Sequence, residues 1–148
     1  MARWIARARE QRPIETTTQL AELIERRFPR GGRRAHPATK VFQALRMAVN
    51  DEVGSLKAGL AGALKILKPG GVLAVITFQG LDDRIVKDFA RESARDYTFE
   101  GAVDVPELRR PRRPEIVWRH RKAILPSEAE VAANPRARSA QLRVMERF

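Results

Sequence analysis

Lys68-Pro69-Gly70-Gly71 is followed by seven consecutive apolar or β-branched residues, 72–78, and no other stretch constrains the fold of this chain so strongly. A run without alternation predicts a strand buried on both faces, as in a parallel sheet. From Leu81 the pattern turns helical, with Leu81, Ile85, Val86 and Phe89 on one stripe, Asp82 and Asp83 in the first turn, and Arg91 and Arg95 near the end. In α/β sheets ligands bind just beyond the carboxyl ends of strands, so Gln79, Gly80, Asp82 and Asp83 stand where a site is expected. A purely structural strand–turn–helix unit satisfies the same pattern.

Upstream, Leu56, Leu60, Ala63, Leu64 and Leu67 define an amphipathic helix that the Lys68-Pro69-Gly70-Gly71 turn stops. Helix, turn and strand together form an α/β crossover, right-handed by the general rule. Before it, Pro37 suits the first position of a helix whose core face is set by Val41, Phe42, Leu45, Val49, Glu52, Val53 and Leu56, with Glu52 at its margin and a break or kink at Gly54-Ser55. Thr39, Gln43, Arg46 and Asn50 form a polar row on that helix, suited either to base edges and phosphates or to plain solvation. Earlier still, residues 2–11 read as a short helix ended by Pro13. Thr16, Thr17 and Thr18 offer caps to a helix faced by Leu20, Leu23, Ile24 and Phe28. Arg26, Arg27, Arg30, Arg33 and Arg34 crowd its exit, where phosphate contact is expected.

Downstream, residues 96–114 carry three prolines with Arg109, Arg110, Arg112 and Arg113 and read as a long basic loop. Residues 115–125 read as a strand with one wet face, which makes His120 a strand-surface residue. Ser127 caps a short helix with Glu130 as its partner, and Asn134-Pro135 ends it. Ala140, Leu142 and Val144 then alternate with Gln141 and Arg143 in a last strand.

At 148 residues the chain is one domain or a part of a larger one, and 43% hydrophobic content argues against disorder. It has no cysteine and only His36 and His120, which excludes thiolate chemistry and a histidine-rich metal cluster. No apolar run approaches a membrane span and the first residues lack a signal-peptide core, so a cytoplasmic location is expected. The formal charge is +11 with pI near 11.2, and arginine dominates. That surplus points first to nucleic acid, because guanidinium forks suit phosphates and stack on bases; a solvated basic surface is the alternative. There is no P-loop, no dinucleotide-binding glycine motif and no His-Glu-x-x-His. Asp82 and Asp83 face different ways on a helix and make an improbable glycosidase pair.

The segment His36-Pro37-Ala38-Thr39-Lys40-Val41-Phe42-Gln43-Ala44-Leu45-Arg46, followed by Ala48-Val49-Asn50-Asp51-Glu52, resembles the signature of the MraW family of small-subunit rRNA methyltransferases. Arg12-Pro13-Ile14-Glu15-Thr16-Thr17, the strand and helix of residues 72–87, Arg121-Lys122-Ala123 and Asn134-Pro135-Arg136-Ala137-Arg138-Ser139 agree with that family in order and spacing. The resemblance implies transfer of methyl from S-adenosylmethionine to N4 of a 16S rRNA cytidine. It covers the family's C-terminal half and implies the last three strands of a class I, Rossmann-like methyltransferase sheet, with residues 1–35 the end of an inserted helical domain and 36–148 the end of the methyltransferase domain. The RNA contacts it implies are His36, Lys40, Gln43, Arg46, Asn50, Gln79, Arg84, Arg136 and Arg138; no catalytic, cofactor-binding or metal-ligating residue is assigned.

Where the family reads Ser-Phe-His-Ser-Leu-Glu-Asp-Arg, this chain reads Thr77-Phe78-Gln79-Gly80-Leu81-Asp82-Asp83-Arg84, exchanging an imidazole and a hydroxyl for an amide and bare backbone. The glycine-rich cofactor loop belongs to the family's front half. The expectation is therefore a chain inactive alone that completes a site with a front half in trans; a non-catalytic RNA-binding or ribosome-assembly protein is the alternative. The expected partners are small-subunit rRNA or the 30S subunit, with no membrane, and the strand's unpaired edge predicts a complex or a homo-oligomer.

Overall fold

A computed structural model describes residues 1–32 and 35–148. Arg33 and Arg34, counted among the arginines above, lie outside the described residues. The chain divides into two compact units, Met1–Glu52 and Val53–Phe148. The boundary expected between residues 35 and 36 rests on family resemblance, whereas this division is one of compactness and follows a turn at Asp51.

The first unit holds α1 (Ala2–Gln11), α2 (Thr17–Arg27) and α3 (Thr39–Val49). Leu20, Ile24 and Ala38 are buried at its centre, and Trp4, Ile5, Ile14, Phe28, Val41 and Phe42 close around them. Trp4 meets Phe28 edge-on, with ring centroids 6.4 Å apart. The start of α2 is set by a capping box: the Thr16 hydroxyl accepts from the Gln19 amide at 3.2 Å, and the Gln19 side chain accepts from the Thr16 amide at 3.2 Å. Thr16→Ala is expected to lower the stability of this helix by about 1 kcal/mol. Faster amide exchange at Gln19 checks it; an unchanged rate would refute the cap's contribution.

Two expectations fail here. The helical break falls not at Gly54-Ser55 but at Asn50-Asp51, where Asp51 takes φ 46° and α4 (Glu52–Ile66) begins. Aspartate tolerates the left-handed region, and glycine inside a helix costs only about 1 kcal/mol relative to alanine. Nor do all the apolar residues of α3 face a core, since Leu45 is 46% and Val49 83% exposed.

The second unit is built on a three-stranded sheet of order β1-β5-β4. Its strands are β1 (Val72–Thr77), β4 (Ile116–Trp118) and β5 (Gln141–Arg147). β5 is antiparallel to both neighbours, so β1 and β4 run the same way. α4 and α5 (Gly80–Ser93) cover one face, where Leu60, Leu64, Val86, Ala90, Ile116 and Met145 form the core. The turn before β1 needs both glycines: Gly70 adopts φ 78°, and a Cβ on Gly71 would lie 2.8 Å from the Lys68 carbonyl oxygen. α6 (Glu128–Ala133) is capped by Ser127, whose hydroxyl accepts from the Glu130 amide at 3.1 Å.

The sheet corrects four readings. β1 is not buried on both faces: Leu73 and Val75 turn towards the helices while Val72 and Ile76 are 52% and 60% exposed, and the strand stops before Phe78. Among the described residues only one layer of helices packs on it, and an apolar run cannot report that. In β5 the expected alternation is reversed, with Arg143 and Met145 buried while Leu142 and Val144 stand opposite Ile76 and Ala74 on the open face. Residues 96–114 are not merely a loop, since β2 (Tyr97–Phe99) and β3 (Arg109–Pro111) pair antiparallel. Arg109 bonds Asp104 at 2.7 Å and stacks on the Tyr97 ring at 4.3 Å, and Arg112 reaches the Glu92 and Arg95 carbonyls at the end of α5. Finally, the strand expected over residues 115–125 ends at Trp118 and resumes only as a bridge between Ile124 and Leu142, which leaves the exposed His120 outside any strand.

Candidate functional site

The register of β1 on β5 brings two turns to one end of the sheet. Thr77 stands opposite Gln141, and its hydroxyl donates to the Gln141 carbonyl at 3.5 Å. The turn through Phe78, Gln79 and Gly80 therefore adjoins the 3-10 turn Pro135–Ser139 that feeds β5. Gln79 caps α5 with extended backbone, φ −124° and ψ 141°, and its carbonyl accepts the Asp83 amide at 3.0 Å. In the 3-10 turn the Asn134 side-chain oxygen accepts the Arg136 amide at 3.2 Å. Ala137 is buried between exposed Arg136 and Arg138. Arg84, in the first turn of α5, is exposed as well. Gln79, Arg84, Arg136 and Arg138 thus share this end of the sheet, with an amide and three cations for a polyanion.

Beneath them lies a pair that sequence reasoning missed. Arg143 donates through Nε and Nη2 to the two Asp83 carboxylate oxygens at 2.6 and 2.8 Å, and the two side chains are only 7% and 12% exposed. The hydrogen bonds from Arg143 hold the Asp83 carboxyl below its ordinary range against the opposing effect of burial, with the charges of Arg143 and Lys87 helping. A carboxylate so depressed, with both oxygens engaged, is a poor proton acceptor. Asp83 is a positioning residue that fixes the start of α5 to the central strand. No local signal pointed to the pair, because residues 141–147 carry apolar side chains at both parities.

The other five predicted residues belong to the first unit. The His36 ring accepts the Ala38 amide on Nδ1 at 3.2 Å, so its N–H lies on Nε2, 3.3 Å from Glu25 Oε2. His36 ties the start of α3 to α2. Arg46 forks onto Glu52 at 2.7 and 3.1 Å, and Glu52 is held below its ordinary range first by that bond and also by one from Asn50. The structure brings Arg46 and Asn50 together around Glu52, across the turn at Asp51. Lys40 is exposed and Gln43 half-buried.

An adenosyl cofactor can be tested against the β1–α5 turn. A Cβ added at Gly80 would meet no atom within 4 Å, and Phe78 and Leu81 beside it are 57% and 44% exposed. This turn does not enclose a ligand by itself. Among the described residues no group of three or more His, Cys, Asp or Glu side chains could hold a metal ion, and no helix is long and apolar enough to cross a membrane.

Fold and site define a mixed α/β protein whose sheet ends in a basic turn cluster without a free acid–base pair among the residues described above. The family model of MraW methylases matches residues 1–148, and the chain belongs to that family. It is 52% identical over 144 residues to a Caulobacter vibrioides protein named ribosomal RNA small subunit methyltransferase H, a match covering 97% of this chain and 46% of that protein. Proteins of the same name from Symbiobacterium thermophilum and Citrifermentans bemidjiense are 50% and 49% identical, with 98% and 100% of this chain and 46% and 47% of theirs covered. The chain spans about half the length of these relatives and corresponds to their C-terminal half.

Proposed function

We propose that this chain supplies the C-terminal part of an S-adenosylmethionine-dependent methyltransferase that modifies N4 of a 16S rRNA cytidine, acting in the cytoplasm on the small subunit. The family match over all 148 residues carries the reading. The sheet supports it: β1 is an edge strand with an open apolar face, suited to further strands and helices of a larger class I sheet. In that frame residues 1–35 end a helical insertion and 36–148 end the methyltransferase domain.

S-adenosylmethionine, when bound, supplies an electrophilic methyl group. The residues of the β1–α5 turn do not by themselves enclose it. Their own share is to hold RNA: Arg84, Arg136 and Arg138 face phosphates, Gln79 offers an amide to a base edge, and Asp83 with Arg143 keeps the turn in place. Exocyclic N4 is a weak nucleophile because its lone pair is delocalised, so rate must come from alignment and from proton acceptors. Gln79 does not titrate near neutral pH, and this favours a second reading, an RNA-binding protein of the family without the chemistry.

One experiment separates them. Mixing this chain with the front half of the Caulobacter vibrioides relative should generate cofactor binding and methylation of small-subunit RNA. RNA binding without methylation in that mixture would favour the second reading, and absence of both would sink the proposal.

A further inference from the structure

Away from the end of the sheet described above, Trp118 closes β4 and the chain bends off through Arg119, His120, Arg121 and Lys122 before pairing again at Ile124. This bend and α5 enclose a cleft of about 390 Å³ lined by Lys87, Arg91, Ala94, Trp118 and Arg121. One part of the indole packs against the core of Met145 and Ile116, and its remaining surface lines the cleft. Lys87 and Arg91 are one helical turn apart on α5 and so approach the cleft from the same side. Arg121 belongs to the other wall and is exposed. The acidic neighbours are Asp88, 3.5 Å from Arg91 in a pair whose side chains are 58% and 64% exposed, and Asp83, on whose carboxylate the Lys87 charge acts. Arg119 is committed elsewhere, to Glu146.

Three cations around a half-buried indole are the elements that single-stranded nucleic acids require: an aromatic face for a base and positive charge along the backbone beside it. A purely anionic ligand would use the cations and leave the indole idle. An uncharged aromatic ligand would leave the cations unused. We propose that this cleft is a nucleotide subsite for single-stranded RNA, in which a base stacks on Trp118 and the flanking phosphates are held by Lys87, Arg91 and Arg121. The inference rests on RNA being the partner. It adds a contact away from the Gln79 turn, so the chain grips unpaired RNA at two places on its second unit. Reading of the base by stacking makes the subsite tolerant of sequence, and its part is to hold the strand rather than to choose the target.

The test uses the full 148-residue chain carrying Trp4→Phe, which leaves Trp118 as the one indole. Titration with single-stranded oligouridylate should quench its fluorescence, and inorganic tripolyphosphate should compete without quenching. Replacing Lys87, Arg91 and Arg121 together by alanine should weaken RNA binding about tenfold and reduce the slope of log affinity against log salt by roughly 2 to 3. Trp118→Leu keeps an apolar side chain on the core and should lose about tenfold, whereas Trp118→Phe should restore most of it. RNA that binds on filters without quenching Trp118, or with unchanged affinity and slope in the triple variant, overturns the subsite and leaves the broader proposal standing. Equal quenching by tripolyphosphate overturns the stacking. Failure of all RNA binding by this chain alone also overturns the subsite, while the methyltransferase reading is decided by the mixture with a front half.

Discussion

Arg143→Met should cost the second unit about 3–5 kcal/mol of folding stability at pH 7, the usual loss when one partner of a buried ion pair is removed and the other is left behind. Asp83 and Arg143 form two short bonds between side chains nearly closed to water, so methionine leaves a buried carboxylate with its hydrogen bonds lost and only the weaker effect of the Lys87 charge. A domain stable by about 5–15 kcal/mol would retain little. Asp83→Leu combined with Arg143→Met removes both charges and should restore most of the loss, because the desolvation cost goes with them. Urea unfolding measures all three. Equal destabilisation of the single and the double variant would show that the site needs the guanidinium for packing rather than for charge.

Acid adds a second signature to the same pair. The Asp83 carboxyl is depressed in the folded protein, so its contribution is complete above the unfolded value of about 3.9 and is lost as pH falls through the depressed one. Arg143 is shifted upward, and its contribution would be lost only as pH rises through a value above the arginine range, so it is fully present between about pH 3 and 8 and adds no pH dependence there. In Arg143→Met, burial acts on Asp83 against only the smaller effect of the Lys87 charge and favours the neutral acid. The stability gap between wild type and variant should therefore begin to narrow above about pH 4, where the variant's buried carboxyl takes up its proton, and go on narrowing as pH falls through the depressed wild-type value; a gap independent of pH would rule out the ionic account.

The second large effect concerns assembly rather than folding. Ile76→Asp should change the stability of the chain itself by no more than about 0.5 kcal/mol, because the side chain is 60% exposed. It should nevertheless weaken association with a family front half about a hundredfold or more. Ile76 lies beside Leu142 on the open face, next to Ala74 and Val144, on a strand with a free edge. If the other half of the relatives' length covers that face, the new carboxylate is buried without a partner, at a cost of several kcal/mol. Val103→Asp, at a residue 67% exposed in the connection from β2 to β3, is the control expected to leave association unchanged. Titration of the front half against the three proteins decides it; equal affinities would place the front half elsewhere.

Much of this molecule is legible because its signals are local. The Thr16 cap, the turn at Gly70-Gly71, the Val72–Thr77 strand, the helix after Gly80 and the Ser127 cap each depend on residues a few positions apart. The family match was legible for a related reason, since the run from His36 to Arg46 stands in a recognisable order. The failures required partners far along the chain. Residues 141–147 contain apolar side chains at both parities, Leu142 and Val144 against Met145, and only α4 and α5 decide which set goes inside. The pairing of Tyr97–Phe99 with Arg109–Pro111 spans a connection whose prolines and arginines read as loop.

The sequence alone determined that the chain has a strand–turn–helix unit, a large positive charge with no cysteine, and membership of a family whose relatives are named as rRNA methyltransferases. Those properties reside in composition and local order. Only the tertiary structure decided that β5 lies between β1 and β4, that Asp83 is locked by an arginine 60 residues away, and that Trp118 is bordered by Lys87, Arg91 and Arg121. Each of these depends on which face of a strand is covered, and that is settled by packing between segments distant in the chain, where periodicity carries no information.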